Sequence, residues 1–249
     1  MIKNSYYYFT KALTDEFCDR VISLGTSKIE ELKLKGESTE AVTAGDIQKG
    51  GSKAGEISFE DKTVEELKQL TNVENSYIRD SEVSWLNDQW IYDKIIPFVE
   101  EANYKAGWKY DIDYFETFQF TKYGLNQFYG WHMDGQTDHY AKYKRFIPGL
   151  TPLENGKIPN NYTKNPNQVN KVRKISVTIN ISPPDTYDGG LLKFDFGPHS
   201  TGERYHLCEE IKPRGSIIVF PSFMQHQVTP VTRGTRYSLV LWSLGKPFR

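Results

Sequence analysis

The chain has 249 residues with 31 basic and 32 acidic side chains, a formal net charge of −1. With a pI near 6.5, that balance excludes a general nucleic-acid binder or a polybasic membrane binder. Hydrophobic residues make up only 38% of the chain, yet aromatics reach 14%. Those bulky side chains can build a packed core, which excludes a disordered, collagen-like or coiled-coil chain.

No apolar leader follows Met1, and Cys18 and Cys208 are too few for a disulfide framework. A reducing, cytoplasmic setting is expected. The longest strongly apolar stretch, 237–244, is too short to span a bilayer, so no membrane association is expected. Thr14 should cap a helix with Asp15 and Glu16 in its first turn and Gly25 just past its end. Residues 35–58 are rich in Gly, Ser, Thr, Lys and Glu and read as a mobile loop. A short strand is expected at 78–86. A helix capped by Asp88 follows, with Trp90, Ile91, Ile95, Phe98, Val99 and Ala102 as its apolar stripe and Pro97 as a kink point.

From Phe115 the pattern changes to strands, at 115–123 and 127–134. Residues 136–172, full of Asn, Pro, Lys and Tyr, interrupt them. A stretch so long and irregular is expected to be functional or disordered. Strands resume at 174–182, 190–196, 215–221, 226–231 and 235–243. Short strands separated by Gly, Pro and Asp turns predict a mainly β fold with some α, a sandwich or jelly roll with N-terminal helices packed on one sheet.

Of five histidines, His132 stands two residues before Asp134 on an expected strand. Positions i and i+2 project from one strand face, so imidazole and carboxylate can reach one ion. His226 opens another expected strand. Two His and one carboxylate suit non-haem Fe(II) and leave coordination positions open. H-x-D alone is a common pattern, and each His has an ordinary polar role as its alternative. Histidine must be neutral to ligate, so metal affinity is expected to fall below about pH 6.

Arg236 begins a run whose parity separates Arg236, Ser238, Val240 and Trp242 from the apolar Tyr237, Leu239 and Leu241. A buried guanidinium needs an anion. Its fork suits a carboxylate, either from the protein or from a ligand. Gln119 and Tyr123 share a face on an earlier strand. On the strand after the interruption, Ser176, Thr178 and Asn180 alternate with Ile175, Val177 and Ile179. That polar face is either solvated or lines a pocket.

Three segments carry a resemblance: 119–134, with Gln119-Phe120-Thr121-Lys122-Tyr123 and Trp131-His132-Met133-Asp134; 173–191, with Asp188-Gly189-Gly190-Leu191; and 213–239, with Val219-Phe220-Pro221 and His226-Gln227-Val228-Thr229-Pro230-Val231. Together they resemble the prolyl 4-hydroxylase branch of the Fe(II)/2-oxoglutarate oxygenases, and above all PKHD-type hydroxylases. The resemblance implies a double-stranded β-helix. It implies His132, Asp134 and His226 as iron ligands and Arg236 as the anchor of the distal carboxylate of 2-oxoglutarate. Tyr123 and Trp242 would contact that cosubstrate, with Ser238 and Thr178 as helpers. Asn180 departs from relatives that carry a tyrosine there. Asp134 favours hydroxylation over halogenation.

The implied reaction hydroxylates an unactivated C–H, foremost on a prolyl residue of a peptide or protein, and releases succinate and CO2. It would use O2, with ascorbate as a reductant. Free amino acids, other small molecules and a non-catalytic jelly-roll binding module are the alternatives. One domain is expected over 1–249: a helical support region over 1–110, and a jelly-roll core over 115–249 carrying a lid at 136–172. Tyr140, Tyr143, Phe146 and Tyr162 are the lid's candidate substrate contacts, and His139 is assigned to lid or surface.

Overall fold

The computed structural model describes residues 4–41, 79–134, 142–153, 156, 158–159, 161–183, 185–197 and 204–248. In chain order its strands are β1 (Tyr7–Phe9), β2 (Arg79–Asp80), β3 (Glu82–Leu86), β4 (Tyr114–Phe115), β5 (Phe118–Tyr123), β6 (Phe128–His132), β7 (Lys144–Arg145), β8 (Tyr162–Thr163), β9 (Val172–Asn180), β10 (Tyr187–Gly189), β11 (Leu192–Asp195), β12 (Tyr205–Leu207), β13 (Ile217–Pro221), β14 (Gln225–Val228), β15 (Val231–Gly234) and β16 (Arg236–Gly245). Two α-helices, α1 (Asp15–Leu34) and α2 (Gln89–Lys105), and a short 3-10 helix at Glu209–Ile211 complete the described elements.

The major sheet runs β1-β13-β9-β16-β5-β3, with β4 also on β16; the minor sheet runs β12-β11-β14-β6-β2. Every pairing within both sheets is antiparallel. Alternation divides the side chains of the major sheet. In β13, Ile217 and Val219 join the helix-side core, while Ile218 and Phe220 join a second cluster with Leu192 and Phe194 of the minor sheet. In β16, Leu239 and Leu241 pack with the helices, and Ser238, Val240 and Trp242 face a cavity between the sheets. This is the jelly-roll architecture expected, with helices on one face.

Thr14 caps α1 by accepting from the Phe17 N–H at 3.2 Å, satisfying one donor that the first turn leaves open. The buried stripe Cys18, Val21, Gly25 and Ile29 follows helical spacing. Gly25 therefore does not end the helix, as the sequence suggested, but lies in its middle. A Cβ there would collide with the Phe120 ring of β5, and Ser84 of β3 donates to the Gly25 carbonyl at 2.9 Å. The glycine is needed for helix-to-sheet approach, not for termination. In α2, Ile91, Ile95 and Val99 are fully buried, each contributing roughly 1.5–3 kcal/mol. The helix continues through Pro97 to Lys105, giving up one backbone donor on the way.

Several boundaries differ from expectation. The expected strand at 115–123 divides into β4 and β5, and 226–231 divides between β14 and β15. β1 and β12 were not foreseen, whereas the strand expected at 78–86 is present as β2 and β3. Of the loop expected at 35–58, only 35–41 is described. Thr39 is buried, and its carbonyl accepts from the Val83 N–H at 2.8 Å, so this stretch lies against β3. The described part of 136–172 is not wholly irregular: β7 and β8 pair in parallel. No described helix is long and apolar enough to cross a membrane.

Candidate metal centre

His132 ends β6 and His226 lies in β14, and the two are direct partners in the antiparallel register. Asp134 stands two residues beyond the end of β6, where its N–H donates to the Ser222 carbonyl at 3.1 Å. The carboxylate thus converges on the two rings from outside the strand, not from within it as the spacing suggested. Its Oδ1 is 3.6 Å from His132 Nε2 and its Oδ2 is 3.6 Å from His226 Nε2. One ligand atom from each of the three lies within 4.8 Å of the others, so together they could hold a single metal ion.

Both imidazoles are oriented in the same way. His132 Nδ1 donates to the Gly130 carbonyl at 2.8 Å, and His226 Nδ1 donates to the Met224 carbonyl at 2.9 Å. A carbonyl only accepts, so each Nδ1 keeps the proton and each Nε2 presents its lone pair inward. The Tyr129 ring stacks on His132 at 3.4 Å between centroids, and Phe220 meets His226 edge-on at 4.7 Å. Burial and then the neighbouring His132 push the His226 imidazole down to about 4, against the pull of Asp134. It therefore stays neutral well below the pH 6 expected from an ordinary imidazole. Burial alone would raise the Asp134 carboxyl, but His226 and His132 hold it well below the usual carboxylate range.

The three residues line a cavity between the sheets together with Tyr123, Thr178, Ser238 and Trp242. Arg236 starts β16 opposite Tyr123 of β5, with its guanidinium carbon 5.5 Å from the Tyr123 ring centre. It is 1% exposed. Among the described residues no carboxylate pairs with it, and its Nη1 has no hydrogen-bond partner. Gly190, in the left-handed region at φ +57°, makes room for its stem: a Cβ there would stand 2.6 Å from Arg236 Cδ. Arg236 is not among the residues lining the cavity; Trp242, which is, carries a further buried donor without a partner, Nε1.

Asn180 is not part of the cavity lining. Its amide donates to the Lys212 carbonyl at 2.8 Å and its oxygen accepts from the Ser182 N–H at 3.1 Å, so the side chain ties down the loop before β13. The polar face of β9 is interior nonetheless: Thr178 meets the cavity and Ser176 donates to Ser222 at 2.9 Å. Of the expected lid contacts, Tyr143, Phe146 and Tyr162 are absent from the cavity lining. Tyr143 instead donates to Glu116 at 3.4 Å, and Phe146 and Tyr162 belong to the β7–β8 region. Tyr140 and His139 lie outside the described residues. The sequence reading missed Arg79, which lines the cavity with its guanidinium 4.6 Å from the Tyr129 ring centre. It also missed Arg173 and Glu116, an ion pair beside Asp134.

The profile of the 2OG-Fe(II) oxygenase superfamily matches residues 118–244, just over half of the chain. The chain belongs to that superfamily. A PKHD-type hydroxylase of Burkholderia ambifaria is 40% identical over 77 residues, 31% of each chain. The match thus spans under a third of that curated relative. The viral collagen prolyl hydroxylase of Paramecium Bursaria Chlorella virus-1, solved as its 2OG complex, superimposes with TM-score 0.52 at 17% identity over 97% of both chains. A Pseudomonas putida prolyl-4-hydroxylase gives TM-score 0.50 at 15% identity, over 96% of this chain and 91% of its own. These likenesses concern the fold.

The residues fit the iron and 2-oxoglutarate that the superfamily implies. Two imidazoles and a carboxylate on one side of an ion are a donor set for ferrous iron. The unpaired Arg236 Nη1 and Trp242 Nε1 are buried donors that an acidic ligand would satisfy.

Proposed function

We propose that this chain is one Fe(II)- and 2-oxoglutarate-dependent oxygenase domain that hydroxylates an unactivated C–H bond, on a prolyl residue of a peptide or protein. The observation that carries it is the pairing of a buried His132–Asp134–His226 donor set with a buried Arg236 that no carboxylate pairs among the described residues. His132, Asp134 and His226 would hold iron, and Arg236 would take the distal carboxylate of 2-oxoglutarate through its planar fork. Bound iron supplies the redox chemistry with O2, coupling oxidation of the substrate C–H to cleavage of 2-oxoglutarate into succinate and CO2.

The protein's own work is binding and orientation. The two Nδ1–H bonds to backbone keep both Nε2 atoms available. Tyr123 and Trp242 would hydrogen-bond and line the cosubstrate's pocket, with Ser238 and Thr178 as smaller polar neighbours. The apolar walls from Val177, Leu192, Phe220, Val228 and Val240 keep bulk water from the reacting groups. The prolyl substrate is favoured by the named activities of the solved structures that share the fold.

Anaerobic titration with Fe(II) and 2-oxoglutarate should give a visible charge-transfer band that His226→Ala lacks. In air, with ascorbate present, succinate should form with prolyl peptides. Iron incorporation without any band would overturn the proposal. A band with succinate formed on free L-proline but not on peptides would move the substrate to a small molecule.

A further inference from the structure

The three candidate ligands are not equally supported by their own strands. His132 and His226 lie in strands and are fixed by carbonyls two residues away. Asp134 has left the ladder of β6. Among the described residues its backbone is held at two points only, by the Ser222 carbonyl and by Arg173, whose Nη1 donates to the Asp134 carbonyl at 2.9 Å.

Arg173 is itself held in place. Its Nε and Nη2 donate to the two oxygens of Glu116 at 2.8 and 2.7 Å, a bidentate pair that fixes the plane of the guanidinium. That plane lies over the Trp242 ring, 3.9 Å from its centre. Glu116 is 5% exposed and its backbone is locked at both ends: its N–H donates to the Trp242 carbonyl at 2.9 Å, and its carbonyl accepts from the Tyr92 hydroxyl of α2 at 2.9 Å. A continuous chain of contacts thus runs from a helix through Glu116 and Arg173 to the carboxylate ligand, and sideways to an aromatic of the cavity wall.

We infer that Arg173, clamped by Glu116, is a positioning residue that sets the backbone of Asp134 so its carboxylate meets the two imidazoles, and that holds Trp242 in register with it. The inference rests on the metal-centre assignment proposed above. Removing outer partners of metal ligands typically costs 10–100-fold in metal affinity. Lysine cannot replace the arginine here, because a point ammonium cannot span both Glu116 oxygens and the Asp134 carbonyl while stacking on an indole.

The test is a spectroscopic titration of the full-length metal-free protein with cobalt(II), alongside its melting temperature. Arg173→Met and Arg173→Lys should each bind cobalt at least tenfold more weakly than wild type. Glu116→Gln, which keeps one hydrogen bond, should fall between. Arg204→Met, which breaks the Asp195–Arg204 pair of β11, should lower the melting temperature and leave cobalt affinity within twofold. If the Arg173 and Glu116 variants also stay within twofold while melting earlier, Arg173 is only structural and the inference is overturned. If wild type itself takes up no cobalt, the metal-centre assignment fails, and the inference with it. Should Arg173→Met not fold, Arg173→Lys and Glu116→Gln decide by the same thresholds.

Discussion

His132 and His226 face each other across β6 and β14, and each uses its Nδ1 proton on a carbonyl two residues earlier in its own chain segment. Pairing register and tautomer together aim both Nε2 atoms at one point. A histidine outside this pairing should be irrelevant to metal. His206, which is bonded to the Tyr6 hydroxyl at 2.9 Å, is the natural control. His206→Ala should retain one cobalt(II) per chain, and His226→Ala should retain less than about a tenth of that at equal concentrations, consistent with loss of one of three ligands. Equal metal content in the two variants would remove the pair from the site.

Arg236 is buried and, among the described residues, no carboxylate pairs with it, so a ligand anion would supply its counter-charge. Arg236→Met should weaken 2-oxoglutarate binding by roughly 100-fold, the scale of losing one side of a buried charge-assisted pair. Arg236→Lys should recover little of it, lacking the fork. Calorimetric titration of 2-oxoglutarate into the anaerobic iron-loaded protein measures both, and cobalt(II) affinity should not move. Unchanged 2-oxoglutarate affinity in Arg236→Met would show that the diacid binds elsewhere.

At Gly25 two effects oppose each other. Helix propensity alone makes Gly→Ala favourable by about 1 kcal/mol. The added Cβ meets the Phe120 ring, and overpacking costs about 1–3 kcal/mol. Gly25→Ala should therefore destabilise by up to about 2 kcal/mol in urea unfolding. In a Phe120→Ala background, where the ring is gone, the same change should turn neutral or stabilising. A stabilising effect in the wild-type background would show that the ring yields freely.

The Arg204 fork, at 2.9 and 2.8 Å, and the Gly197 N–H, at 2.8 Å, hold the Asp195 carboxyl below its ordinary range. A depressed carboxylate contributes stability that is present above the unfolded pKa and lost as pH falls through the folded one. Arg204 is half-exposed, so solvent screens the pair and its contribution is small. Asp195→Asn should be slightly less stable than wild type at pH 7, and the gap to wild type should close as both proteins are taken toward pH 3. A gap that stays constant over that range would assign the effect to packing.

The alternation in β16 is legible in the sequence because side-chain period and burial agree: Leu239 and Leu241 have a hydrophobic layer to meet, and Ser238 and Trp242 have a cavity. The His132, Asp134 and His226 set is legible from short spacing and from one later strand. Arg173 and Glu116 are not, because their partnership spans 57 positions and no local pattern announces it. Gly25 misleads for a related reason. Glycine after an apolar stripe is the usual mark of a helix end, and only the approach of Phe120 from a distant strand explains one in the middle. Asn180 shows the same limit, since alternation assigns a face but not whether a short amide spends itself on a neighbouring loop.

The three candidate ligands belong to the minor sheet and its margin, whereas Arg236 belongs to the major sheet. An ion alone draws together side chains of one layer. A diacid reaching from that ion to Arg236 would act as a tie-rod between the two layers, loading the jelly roll across its open gap. Cosubstrate occupancy would then stiffen the barrel as a whole before any substrate arrives. The chain would tell filled from empty by its resistance to opening, and not only by its chemistry.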